Sequence, residues 1–194
     1  MSEFVEGTNQ VQFFAEWHSK IKSSLPHYDA FFGFSLGGVV LQQCFDLFKN
    51  AHKPLILFSV PSFSDGLLSE RLDHVINLIK ENSVIAAIHE LNLYVFHPHS
   101  APKHMAIQDI AQAASRLLHG LQFVRDTDSR HALKKFAVSY LHLIGEESLL
   151  VNSNNVEPPV SGELIMVPKS GMRILQNNVS YCMVPIIKFL EGAA

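Results

Sequence analysis

One short run, Gly33-Phe34-Ser35-Leu36-Gly37-Gly38, constrains this chain more than any other feature, because it joins two segments of different periodicity. Before it, Tyr28 to Phe34 is a short aromatic stretch broken by Gly33 and flanked by turn signals, which predicts a buried strand. After it, Leu36 to Phe48 reads as a helix. A serine on so sharp a strand-to-helix turn has a strained backbone, and side chains two positions either side would collide. Gly33 and Gly37 are therefore the residue types such a turn demands, while Gly38 permits close packing of the helix. The turn exposes the Ser35 hydroxyl at the strand end and aims the backbone N–H of Leu36 at any oxyanion forming on an attacked carbonyl. The plainer reading of the same residues is an ordinary glycine-rich strand-to-helix turn of another α/β fold.

The rest of the chain supplies a sheet and helices around that turn. Val11, Phe14, Trp17, Ile21 and Leu25 recur at helical spacing over residues 9 to 24, and Pro26 closes the segment. Pro54 to Val60 is almost continuously apolar, the mark of a parallel strand covered on both faces, and Pro61 stops it. From Ser64 to about Phe136 the texture is helical, clearest at Ile107, Ile110, Ala111, Ala114, Leu117, Leu118 and Leu121, with Leu93 to Phe96 ambiguous. Val138 to Ile144 and Glu163 to Val167 read as two more strands, separated by the polar loop Asn152 to Pro159. Val179 to Leu190 reads as a closing helix with a kink expected at Pro185. The expected organisation is α/β: residues 1–63 as helix, elbow strand and second strand; 64–136 as a helical lid insertion; 137–194 as the remainder of the core.

Composition narrows the function classes. Of 194 residues, 47% are hydrophobic and 17% charged, enough to bury one sizeable core. No apolar run approaches the roughly 18 residues that span a bilayer, and Met1-Ser2-Glu3 starts without the blocks of a secretory signal, so a cytoplasmic protein is expected. Fifteen basic against 18 acidic residues, with no basic stripe, argue against nucleic acid or an anionic membrane as partner. Cys44 and Cys182 lie in apolar helical patterns and read as buried thiols rather than a disulfide or metal ligands. No cofactor or metal is expected.

The stretch Tyr28-Asp29-Ala30-Phe31-Phe32-Gly33-Phe34-Ser35-Leu36-Gly37-Gly38-Val39 resembles the central strand and elbow of the α/β-hydrolase superfamily, especially small carboxylesterases of the pimeloyl-ester esterase type. Leu141-His142-Leu143-Ile144-Gly145-Glu146-Glu147-Ser148 resembles the strand that presents the triad acid, and Glu163 to Gly171 the strand and turn before the triad histidine. The resemblance implies a partial α/β-hydrolase fold, mostly a parallel sheet of about four strands with flanking helices and a helical lid. It also implies Ser35 as nucleophile. The same resemblance puts the acid where this chain has Ser148 and the histidine where it has Met172, and residues 167–194 contain no histidine. The preceding strands, whose loops give the family its second oxyanion donor, have no counterpart in this sequence.

Other residues are candidates for the vacated roles. Asp65 stands where some lipase-like members carry their acid, or is a turn aspartate before Gly66. Glu146 and Glu147 end the third strand and either reach inward or are solvated. His97, His99 and His104 fall in a loop the lid could fold over Ser35, or are surface histidines, and no carboxylate or cysteine accompanies them at metal-ligand spacing. His142 reads as a satisfied core histidine. Two functions follow: a serine carboxylesterase or thioesterase acting on a small apolar acyl ester, or a catalytically inactive binding or assembly module of the same fold. An elbow strand without its earlier neighbours has an open edge, for which the N-terminal segment, a second copy or a partner chain is the expected cover.

Overall fold

The computed structural model describes residues 9–102 and 109–192. The start Met1-Ser2-Glu3, the first lid position Ile107 and the candidate His104 lie outside them. Asn9 opens α1 (Gln10–Ser24), its side chain accepting the Gln12 N–H. The chain then runs through β1 (Phe31–Phe34), α2 (Leu36–Gln43), α3 (Phe45–Phe48), β2 (Leu55–Phe58), α4 (Gly66–Lys80), α5 (Val84–Phe96), α6 (Ile110–Asp126), α7 (Arg130–Phe136), β3 (Ser139–Gly145), β4 (Ser161–Val167), α8 (Ile174–Asn177) and α9 (Val179–Gly192). The four strands form one sheet, every pair parallel, in the order β1-β2-β3-β4.

Period two in the strands sorts the core into two layers. Leu55 and Leu57 of β2, with Val138 and Tyr140, pack under α1, α2, α3 and α7. Ile56 and Phe58, with Leu141, Leu143 and Val167, pack under α8 and α9. All four residues of β2 are buried, which is why its sequence is continuously apolar rather than alternating. A third cluster joins α4, α5 and α6 to Ile144 at the end of β3 and to Val151 and Met172 beyond the strands.

Local differences from the sequence reading have local causes. The expected helix Leu36 to Phe48 is broken at Cys44, whose ψ of 17° leaves the helical region, so α3 turns separately and brings Phe45 against Tyr140. The ambiguous Leu93 to Phe96 belongs to α5, whose 13 residues exceed ordinary strand length. Pro185 lies inside α9. Among the described residues no helix is long and apolar enough to cross a membrane. Both cysteines are free and buried, and burial pushes the Cys44 thiol up to about 12, which leaves it without nucleophilic character at neutral pH.

Candidate functional site

Ser35 stands between β1 and α2 at φ 49°, ψ −125°, a backbone conformation that side chains avoid. Its carbonyl accepts from the N–H groups of Gly38 and Val39, which closes the first turn of α2, and its own N–H is given to the Phe58 carbonyl. Leu36 and Gly37 occupy the first turn of the helix, where an N–H has no intrahelical acceptor, so the donor foreseen at Leu36 is free of helical pairing. The bend is sharp because two backbones nearly touch: a Cβ on Gly33 would lie 2.6 Å from Gly38 Cα.

The expected role of Gly37 is corrected by the packing. A Cβ there would meet nothing within 4 Å, whereas one on Gly38 would lie 2.1 Å from a methyl of Val60. Gly38, not Gly37, lets α2 settle on the end of β2. Strain at Ser35 gives a testable consequence. Residues held in such regions cost about 1–3 kcal/mol, so Ser35→Gly should stabilise the fold by about 1 kcal/mol after the extra chain entropy of glycine. Ser35→Ala should leave stability nearly unchanged. Urea titration of the two variants checks this, and a destabilised Ser35→Gly would mean the turn is not strained.

The groups expected beside Ser35 have other partners. The Ser35 side chain makes no capping hydrogen bond, and no described imidazole or carboxylate is bonded to its hydroxyl. Asp65 is the N-cap of α4: its carboxylate accepts the Leu68 N–H at 2.9 Å and lies 3.5 Å from the Asn155 amide. It is corrected from candidate acid to helix cap. Glu146 and Glu147 are exposed at the end of β3, held only through backbone N–H groups donated to Val167 and Ser170 carbonyls. Ser148 is buried and accepts the Val151 N–H, closing a turn. Met172 is 3% exposed inside the α4–α6 cluster, so the position that the resemblance gives to the histidine holds an apolar core side chain.

The histidine loop does reach the strand ends. The His97 carbonyl presses on Gly171, where a Cβ would lie 1.7 Å from it, and His97 ends α5. His99 is exposed and borders an open hollow shared with Phe96, Arg173 and Gln176. Neither ring is hydrogen-bonded to Ser35. His142 is also corrected from a satisfied histidine: its Nε2 accepts the Val60 N–H at 3.2 Å, but its buried Nδ1 has no described partner. Complete burial pushes this imidazole down to about 3.

An apolar crevice of about 210 Å³ opens beside the bend, lined by Phe34, Phe58, Val95, Arg173, Ile174, Leu175 and Gln176. Arg173, whose guanidinium lies 4.2 Å over the Phe96 ring, is its one cation, a residue the sequence reading did not single out. The only signal for it was its place just beyond the Gly171-Met172 turn. A larger hollow of about 630 Å³, bordered by Lys49, His52, Lys53 and Lys188, sits at the other end of the sheet, before β2, β3 and β4 begin. Open α/β sheets bind ligands past the carboxyl ends of their strands, which favours the crevice at Phe34. Among the described residues no cluster of three His, Cys, Asp or Glu side chains gathers to hold a metal.

No family model and no curated protein matches the sequence. Solved structures do. An α/β hydrolase enzyme from a Medee basin deep-sea metagenome library superposes with a TM-score of 0.73 at 14% identity, over 98% of this chain and 74% of that one. The bromoperoxidase from Bacillus anthracis gives 0.73 at 14% identity, over 98% of this chain and 77% of its own. The esterase from Exiguobacterium antarcticum gives 0.68 at 14%, over 94% and 74%. With the parallel sheet and the strand-turn-helix at Ser35, these establish the class: the chain has an α/β-hydrolase fold, in the partial form of four parallel strands with flanking helices.

Proposed function

We propose that this chain is a hydrolase-type protein acting on small acyl esters or thioesters, with Ser35 as nucleophile. The observation that carries the reading is the backbone of Ser35: a conformation costing about 1–3 kcal/mol is held at a residue whose hydroxyl has no hydrogen-bond partner among the described residues. The Leu36 N–H supplies one oxyanion donor, and the crevice at Phe34, smaller than the roughly 300 Å³ typical of drug-sized ligands, suits a short apolar acyl group. Likeness to an esterase and to hydrolases of the fold supports the same class.

In the reaction, the Ser35 oxygen bonds to the acyl carbon, the ester C–O or thioester C–S bond breaks, and the leaving alcohol or thiol departs with the proton that Ser35 gives up. Water then attacks the acyl-serine and releases the carboxylic acid. With no imidazole of the described residues on the hydroxyl, solvent is the proton acceptor and turnover is slow, since a serine without a positioned base is a weak nucleophile. Binding and a complete oxyanion hole give roughly 10³–10⁴ over the uncatalysed rate when triad members are missing, and with the Leu36 N–H as the one donor about 10²–10³ of that is lost.

A second reading, an inactive binding or assembly module, is favoured by Ser148 and Met172, both buried in structural roles. Hydrolysis of short-chain nitrophenyl esters and thioesters separates the two. Turnover that disappears in Ser35→Ala supports the first reading. Equal rates in wild type and variant, beside saturable binding of the ester, would establish the second.

A further inference from the structure

We infer that β1 is a self-association edge, at which a second copy of this chain pairs antiparallel about a two-fold axis through Phe32. Among the described residues β1 is hydrogen-bonded to β2 alone. Phe31 and Ser35 donate their N–H groups to the Pro54 and Phe58 carbonyls, so by the period of two the N–H and C=O groups of Ala30, Phe32 and Phe34 point to the open side. An open, unblocked strand edge is a template for another strand. Three outward residues have a middle member, and this makes the edge self-complementary. A two-fold axis at Phe32 pairs Phe32 with its own copy and Ala30 with Phe34 of the other chain at both ends. All outward groups of the strand are thereby satisfied.

The side chains around the edge fit that occupant. Tyr28, Phe32 and Phe34 are 59%, 55% and 48% exposed, and the Phe32 ring continues the sheet's apolar face by stacking on Phe58 at 6.2 Å. An aromatic side chain buries about 150–250 Å², so these three leave on the order of 300 Å² open. Leu36, the exposed Met183 and Ile187 on the flank of α9 away from the β4 side that Tyr181, Val184 and Lys188 line, and the strand backbone bring one copy to on the order of 500 Å². Two copies then bury about 1,000 Å², the size from which specific interfaces begin. Along this edge a groove of about 590 Å³ runs between the strand and α1, bordered by Trp17 and Ile21 on one side and by Ala30, Phe32 and Phe34 on the other, with Lys20 its one charged side chain. The exposed Asp29, which faces Lys53 at 3.7 Å, is set by the two-fold axis opposite Ser35 of the other copy and about 20 Å from its own counterpart, so the copies meet without like-charge repulsion, and cross-strand aromatic pairs such as Phe32 with Phe32 favour the pairing. The pairing does not depend on what Ser35 does.

Sedimentation equilibrium of the full chain should give twice the 21.7 kDa chain mass. In Phe32→Cys the paired Cα atoms stand about 5.5 Å apart, so mild oxidation or a short bis-maleimide should convert the protein to a covalent dimer, with Cys44 and Cys182 buried and silent. A cysteine at the distant, exposed Val160 should not cross-link. Phe32→Pro removes the outward N–H together with the Phe32 ring, at an edge position where a strand tolerates proline, and should yield a monomer with unchanged far-UV circular dichroism; if that variant fails to fold, the cysteine variant decides. A monomer at every concentration, a dimer that Phe32→Cys does not bridge, or a 1:1 complex with a different polypeptide would each overturn the proposal.

Discussion

Acidification from pH 7 to pH 4 is expected to cost the folded state about 3 kcal/mol through His142 alone. This imidazole is fully buried in β3, and burial holds it near 3 against an ordinary value of 6.5. In the unfolded chain it takes up a proton as the pH falls through 6.5, while in the folded chain it stays neutral until about 3. The contribution is therefore nearly flat above 6.5 and falls away between 6.5 and 3, by about 1.4 kcal/mol for each pH unit. Such a loss is a large part of the ordinary 5–15 kcal/mol of a domain. Urea melts at pH 7 and pH 4 check it. In His142→Gln, which removes the titrating group and keeps an acceptor within reach of the Val60 N–H, the dependence should flatten by that amount. An identical pH profile in wild type and variant would show that His142 is not the origin.

Alanine at two neighbouring glycines should have opposite effects. At Gly38 the added methyl would lie 2.1 and 2.8 Å from the two methyls of Val60, a stiff and fully buried side chain that cannot swing aside. Either α2 lifts off β2 or Val60 is driven into the core, and overpacking of this kind costs about 1–3 kcal/mol. The shift would carry Ser35 with it, so ester turnover should fall further than stability. At exposed Gly37 the methyl meets nothing, and alanine is about 1 kcal/mol better than glycine inside a helix, so Gly37→Ala should stabilise. Paired denaturation curves would separate the two variants by on the order of 3 kcal/mol. Equal stabilities would contradict the packing described at the bend.

What could be read in the sequence follows how local each cause is. The parallel sheet was legible because Leu55–Phe58 is buried on both faces and so lost its alternation, and the strand-turn-helix at Ser35 because Gly33 and the apolar run after it are adjacent in the chain. The break of the second helix at Cys44 was not, since it serves the distant contact of Phe45 with Tyr140. The same applies to the glycines. The five-residue motif points to Gly37, but only the presence of Val60, 22 positions on, makes Gly38 obligatory. Asp65 carries a readable local signal: an aspartate just ahead of an apolar helix is first a cap, and its carboxylate accepts the Leu68 N–H. His142 could be placed in the core from its strand, but not its orphaned Nδ1, which depends on what faces it across the layer. Nothing in the order of residues tells which side chains meet Ser35, because every candidate comes from another loop.

The central claim is that Ser35 is a nucleophile presented by a strained turn. Its most direct test is to treat the folded protein with a fluorophosphonate and map the adduct by peptide mass spectrometry. A single adduct on Ser35, absent from Ser35→Ala and from protein unfolded beforehand, is the predicted result. A folded protein that takes up no label at Ser35, or takes it up elsewhere, would contradict the account.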